Sequence, residues 1–278
     1  MLEYNTPLTT NTVADRVIGQ RGSFLTINFN GPKASDLYQP AGLALDSSGY
    51  LYVAAYGENS VFQYTTPLST VANANLVIGQ DTFSIDRENL AVTDASSIPY
   101  PSSIAIDASV IPNRLYVADT LNNRVLGWKD VTALSNDEPA DLVIGQPDFD
   151  SSTCNNGGVS ASSICGVSQL AVDGSGNLYV GDDGNNRVLE YNDPFAGCGS
   201  FPCVGGPANL VFGQGGSFTS NFPNNGGINA NTMAGPGGIA VDADGNLYVS
   251  DPSNQRVRVI TESCGSGAGM KKAAYPSA

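Results

Sequence analysis

GIAVDADGNLYVSDPSNQRVRVI, residues 238–260, is the stretch on which the fold turns. Its β-branched and apolar residues fall into three short runs, GIAV, NLYVS and RVRVI, separated by the turn-forming clusters DADG and DPSNQ. No part of it has a helical period. The Asn and Gly of the first cluster suit the positive φ of a tight turn. The same phrase occurs three times upstream: GLALDSSGYLYVAAYGENSVFQY at 42–64, SIAIDASVIPNRLYVADTLNNRVLGW at 103–128 and QLAVDGSGNLYVGDDGNNRVLEY at 169–191. A second phrase keeps the same beat. RVIGQ ends at Gln20, LVIGQ at Gln80 and Gln146, and LVFGQ at Gln214.

The chain is therefore four copies of one unit of about 60–69 residues, the spacing of Asp46, Asp107, Asp173 and Asp242 and of the GQ phrases. Each unit reads as four strands, here called a (GIAVD), b (NLYVSD), c (RVLEY) and d (NLVIGQ). Tandem four-stranded units that cannot bury both faces alone pack face to face about an axis, which makes the expected fold an all-β propeller of antiparallel blades. Strand c has a fifth copy, because MLEY at the start is similar to VLEY and VFQY, whereas the last unit stops at its own c strand. The expectation is that the N-terminal strand DRVIGQ supplies the missing d strand and closes the last blade, within the chain or in a neighbouring copy. A segment of a longer array is a further alternative. The propeller is expected over 1–262 and a Gly/Ser/Ala tail over 263–278.

At 238–260, 169–191 and 103–128 the sequence resembles NHL repeats, the β-propeller unit of many bacterial extracellular and animal proteins. The resemblance implies a propeller but not one function, because the family includes lyases, RNA binders and interaction scaffolds. The first copy departs from the pattern: Ala55 and Ser60 stand where the others have Asp119 and Arg124, Asp182 and Arg187, or Asp251 and Arg256.

With 12 Lys and Arg against 26 Asp and Glu, the formal net charge of -14 opposes phosphate backbones and anionic lipid. Nucleic acid and membrane are not expected as partners, and no run is long and apolar enough for a membrane span. The start lacks the basic end and apolar stretch of a signal peptide, so an exported form would be a mature one. The low share of charged residues, 14%, fits a secreted or cell-surface protein. Cys154 with Cys165 and Cys198 with Cys203 lie in Gly/Ser-rich loops without the spacing of a zinc site, and are expected to form two local disulfides. Cys264 has no local partner.

The long insertions lie between strand d and the next strand a, and in a propeller they share one face with the b-to-c loops. That face is the candidate interaction surface. It carries Phe24, Phe29, Tyr38, Phe83, Tyr100, Phe149, Phe218 and Phe222. The regularly placed Phe24, Phe83, Phe149 and Phe218 are expected to pin each loop to its blade. Asp119, Asn122 and Arg124, with Asp182, Asn185 and Arg187 and with Asp251, Asn254 and Arg256, are expected to lock the b-to-c loops by charge-assisted hydrogen bonds. Tyr64, Trp128 and Tyr191 are expected between blades. DADGN lacks the remaining oxygen ligands of a calcium loop.

A chain with no histidine has no Ser/His/Asp or Cys/His pair and no His-bound metal. Paired carboxylates would allow glycoside chemistry, yet the acids follow the repeat, whereas a catalytic pair should break it. The expectation is a non-catalytic extracellular scaffold or assembly module, without cofactor or metal, whose partner is a protein or a second copy. A carbohydrate-binding or carbohydrate-cleaving propeller is the alternative.

Overall fold

The computed structural model describes residues 1–3, 14–26, 31–66, 72–85 and 92–261. The expected tail, Cys264 and Phe29 lie outside them. A short hairpin, β1 (Leu2–Glu3) and β2 (Arg16–Val17), comes first. Sheet 1 contains β3 (Pro40–Leu45), β4 (Leu51–Ala55), β5 (Ser60–Tyr64) and β6 (Leu76–Ile78). Sheet 2 contains β7 (Pro101–Asp107), β8 (Arg114–Asp119), β9 (Arg124–Trp128) and β10 (Leu142–Ile144), with β14 (Cys203–Val204) added at its edge. Sheet 3 contains β11 (Val167–Val172), β12 (Leu178–Asp182), β13 (Arg187–Tyr191) and β15 (Leu210–Gly213). Sheet 4 contains β16 (Ile239–Val241), β17 (Leu247–Asp251) and β18 (Arg256–Ile260). Neighbouring strands within each unit pair antiparallel in chain order, the meander of a β-propeller blade.

Each a-to-b turn is held by its own aspartate. Asp173 Oδ1 accepts from the Ser175 and Asn177 N–H groups at 2.9 and 3.0 Å, and its Oδ2 accepts from the Tyr179 hydroxyl at 3.2 Å. Asp242 repeats this with Asp244, Asn246 and Tyr248. The positive φ at Gly176 and Gly245 closes these turns.

In sheets 1, 2 and 3, strands b and c are buried on both faces, so they read as continuous apolar runs and not as polar/apolar alternation. Their side chains still divide between two interfaces. Tyr52, Ala54 and Val61 of sheet 1 pack against Ile104, Leu115, Val117, Leu126 and Trp128 of sheet 2. Tyr116, Ala118 and Val125 pack in turn against Leu170, Leu178, Val180, Leu189 and Tyr191 of sheet 3, and Tyr179, Val188 and Phe212 against Ile239, Leu247 and Val249 of sheet 4. Each blade thus presents a forward face (Tyr, small residue, Val) and a rear face (Leu, Val, bulky residue). The outer edges are covered too. The c-to-d connection of sheet 3 pairs in parallel with β10, Leu142 opposite Cys203, and that of sheet 2 reaches β6, where the Asp137 N–H donates to Val77 O at 3.0 Å.

Closure of the last blade within the chain is not seen among the described residues. β2 pairs with β1, Leu2 opposite Val17, and not with β18. Ile18, flanking this hairpin, packs on the rear face of sheet 1, among Leu51, Val53, Phe62 and Tyr64. The hairpin has the c and d strands of a blade preceding sheet 1, and the apolar face it meets there decides where it sits. β18 borders sheet 4 without a fourth strand among the described residues.

Candidate functional site

On the loop face, the b-to-c connections of sheets 2, 3 and 4 are each a single turn built around an Asp–Asn–Arg group. Arg187 Nε donates to Asp182 Oδ2 at 2.7 Å, and Asn185 Nδ2 donates to the same carboxylate at 2.8 Å. The arginine reaches further. Its terminal nitrogens donate to the carbonyls of Ser160 (2.8 Å) and Ser163 (2.9 Å) in the loop before the blade, and of Phe218 (2.6 Å) in the loop after it. Arg124 repeats the arrangement with Asp119 at 2.6 Å, Asp94 O at 2.7 Å, Ser97 O at 3.1 Å and the carbonyl of Phe149. Arg256 bonds Asp251 at 2.8 Å, Thr232 O at 2.6 Å and Asn229 O at 3.2 Å. One guanidinium therefore ties its own turn to the long loops that the sequence marks as the binding surface.

Burial sets the electrostatics of these groups. Burial pushes Asp119 up to about 6 and raises Asp182, against the pull of their arginine partners. At Asp251 burial also opposes ionisation, but the hydrogen bonds from the Ala234 N–H, Asn254 and Arg256 outweigh it and the carboxyl lies below its ordinary range. Asp182 Oδ1 accepts from Cys165 N at 2.8 Å and Asp251 Oδ1 from Ala234 N at 3.0 Å. In sheet 2 the matching residue is Pro99, which has no N–H, and Asp119 Oδ1 has no donor.

Two further side chains bind the loops together. Gln146 donates to Asn123 O at 3.1 Å and Thr153 O at 2.9 Å, and Gln214 to Asn185 O at 3.0 Å and Phe222 O at 2.9 Å. The second Asn of the turn reaches the following blade: Asn59 Oδ1 accepts from Tyr100 N, Asn123 Oδ1 from Gly166 N and Asn186 Oδ1 from Gly235 N, at 2.9–3.0 Å. Sequence reasoning missed both roles. The repeated GQ and NN phrases were the signal, used there only to count units. The Gly of GQ has φ near +90°, and a Cβ at Gly213 would come within 2.8 Å of Met233.

The aromatic residues divide. Phe83 sits edge-on to Phe62 with ring centroids 5.6 Å apart, and Phe149 and Phe218 pack against the inter-blade cores. Tyr100 stacks near Tyr56 at 5.0 Å, while Tyr38 lies against Gly57. Phe222 is exposed, and so is Phe24, which does not pin its loop as Phe83, Phe149 and Phe218 do. Trp128 and Tyr191 are buried between blades, and Tyr64 is buried between sheet 1 and the N-terminal segment. Cys154 bonds Cys165 and Cys198 bonds Cys203, which fits an oxidising compartment. Among the described residues no helix is long and apolar enough to cross a membrane.

Residues 233–260, the loop end and three strands of sheet 4, match the NHL repeat family. No match is found among curated proteins. Among solved structures the chain is similar to a catalytically inactive virginiamycin B lyase from Staphylococcus aureus crystallised with quinupristin, at 13% identity over 84% of this chain and 54% of that one, TM-score 0.45. It is also similar to a putative 6-phosphogluconolactonase from Bacteroides uniformis (9%, 81% and 51%, TM-score 0.48). A third is an auxiliary nutrient binding protein from Bacteroides thetaiotaomicron (15%, 78% and 46%, TM-score 0.47). The chain spans about half the length of each, and no activity passes to it from them.

The first NHL-like unit is wired differently. Ala55 and Ser60 replace the Asp and Arg, and both are buried. Glu58 takes over one duty of the lost Asp, its Oε2 accepting from Tyr38 N at 2.9 Å. Asp36 occupies the loop position of Ser97, Ser163 and Thr232 and is fully buried.

Proposed function

We propose that the protein is a non-catalytic, secreted or cell-surface binding and assembly module, whose blades stack on those of a second copy. The observation that carries this reading is the pair of apolar faces at the two ends of the blade series. The forward face of sheet 4 exposes Val257, at the position that Val61, Val125 and Val188 fill inside the interfaces, together with Val259, whose equivalents are Gln63, Gly127 and Glu190, and leaves Tyr248 only part-buried where Tyr52, Tyr116 and Tyr179 are buried. The rear face of sheet 1 exposes Leu43, whose equivalents Ile104, Leu170 and Ile239 are buried, and Leu45 beside it. Such faces meet three times within the chain, so a forward face and a rear face are complementary by construction, and their contact is head-to-tail. Sheet 4 brings strands a, b and c and the N-terminal hairpin brings c and d; together they compose one blade with a single surplus strand.

Several features support the non-catalytic part. The carboxylates that follow the repeat are engaged by their own turns, and three of the loop aromatics, Phe83, Phe149 and Phe218, are pinned to the cores. The disulfides support export.

Sedimentation and electron microscopy of purified protein test the reading. Particles heavier than one chain are expected, and Val257→Asp combined with Val259→Asp should reduce them to single chains. Particles of one chain's mass at tens of micromolar, unchanged by the double substitution, would refute it.

A further inference from the structure

In repeats 2, 3 and 4 an arginine side chain fills the space between the b-to-c turn and the long loops, and it neutralises the acid there. In repeat 1 the arginine is Ser60, yet the acids remain and have increased. Glu58 and Asp36 are both fully buried. Neither carboxylate oxygen of Asp36 has a hydrogen-bond donor. The nearest cation, Arg21, is half-exposed, and its Nε is 3.7 Å from Asp36 Oδ2, beyond hydrogen-bond reach. The hydroxyl of Tyr64 is likewise buried, with no partner among the described residues, and its acidity is suppressed by burial first and then by the charges of Glu58 and Asp36. At the position of Asp36 in repeat 2, Ser97 Oγ lies 3.4 Å from the Arg124 guanidinium, so a side chain there faces the place of the arginine.

The loop around this point follows the course of its counterparts. Ala74 N donates to Ala34 O at 2.8 Å, as Ala140 does to Ala95 O at 2.9 Å and Ala208 to Ala161 O at 2.8 Å. The positions whose carbonyls receive the guanidinium elsewhere (Asp94, Ser97 and Phe149; Ser160, Ser163 and Phe218) correspond here to Lys33, Asp36 and Phe83. Shortening arginine to serine at this place leaves carboxylate, hydroxyl and carbonyl oxygens with no guanidinium to answer them.

We propose that repeat 1 binds a hard divalent cation of the calcium class in the position where the other repeats hold an arginine. The donor set is oxygen only, which excludes soft metals, and two carboxylates balance a double charge. Mixed carboxylate and carbonyl coordination of irregular geometry suits calcium better than magnesium, which demands a near-ideal octahedron. A partner's arginine would match the charge of the lost side chain, but Asp36, Glu58 and Tyr64 are all fully buried, out of reach of a side chain arriving from outside. With two carboxylates the affinity belongs with extracellular modules, a Kd of about 10⁻⁴ to 10⁻³ M. This inference stands apart from the assembly proposed above.

Calorimetric titration of chelator-treated full-length protein with calcium chloride, together with thermal melts, tests it. The melting temperature should rise with calcium, less with magnesium, and not with guanidinium chloride at equal millimolar concentration. Asp36→Ser, which copies Ser97 and Ser163, should abolish both the heat of binding and the rise, while Arg21→Gln, which removes a competing charge, should tighten binding several-fold. Should Asp36→Ser not fold, the pair Ala55→Asp and Ser60→Arg, which rebuilds the lock of the other repeats, should be folded and indifferent to calcium. Absence of calcium binding by the native chain at millimolar concentration would overturn the proposal, as would calcium binding that persists in Asp36→Ser or in the rebuilt lock.

Discussion

At the scale of single residues, Arg124, Arg187 and Arg256 make one chemical arrangement at two depths. Arg124 and Arg187 are fully buried against fully buried aspartates, whereas the Arg256 side chain is 29% exposed. Removing one partner of a buried pair leaves the other charge without compensation, which costs about 3–5 kcal/mol, and a solvated pair costs far less. Arg124→Ala and Arg187→Ala should each destabilise by that amount in urea unfolding, and Arg256→Ala by about 1–2 kcal/mol. Three equal losses would mean that burial does not set the strength of these groups. The Asp–Asn–Arg positions were legible in the sequence because they recur at fixed distance from strand b. The carbonyl acceptors were not legible, since a backbone oxygen 24 to 31 residues away leaves no mark in residue type. Asp36 was invisible for a related reason. In an unaligned loop it reads as one more surface acid, whereas it takes the buried position of Ser97, Ser163 and Thr232.

At the scale of elements, the strands were read nearly at their bounds, because turn residues punctuate every apolar run. The c-to-d connections were not. They act as short edge strands, and β14 beside β10 is the example, carried by a loop whose sequence, GCGSFPC, has no strand character. The Cys198–Cys203 bond holds that loop at the edge of sheet 2, and the Cys154–Cys165 bond holds the insertion beneath Arg187. With sequence separations of 5 and 11, the chain-entropy account gives about 2 and 3 kcal/mol for the two bonds. Reduction should therefore lower stability by up to about 5 kcal/mol, and hydrogen exchange should rise first along Leu142–Ile144 and the loop 147–166. Exchange that rises uniformly, or a melting temperature indifferent to reductant, would show that these bonds do not restrain the loops they close.

At the scale of the whole molecule, the repeat fixes the order of blades but not what meets the first and the last. Periodicity sees that one strand too many exists, whereas packing decides where it lies: Ile18 finds Leu51, Val53, Phe62 and Tyr64, the rear face that every other blade offers to its predecessor. The hairpin thus buries the outer half of that face and leaves Leu43 and Leu45 to a further occupant. Deleting residues 1–20 should remove the burial of Val17 and Ile18 and uncover the apolar side chains beneath, a loss of roughly 3–6 kcal/mol. The same deletion takes away the c and d strands that would complete a joint blade with sheet 4 of a second copy. Melting temperature and particle mass should then fall together, whereas Val257→Asp with Val259→Asp should lower the mass and leave the melting of the single chain nearly unchanged. If the deletion lowered neither, the N-terminal hairpin would be a bystander, and the rear face of sheet 1 would have to be stable in water without a cover.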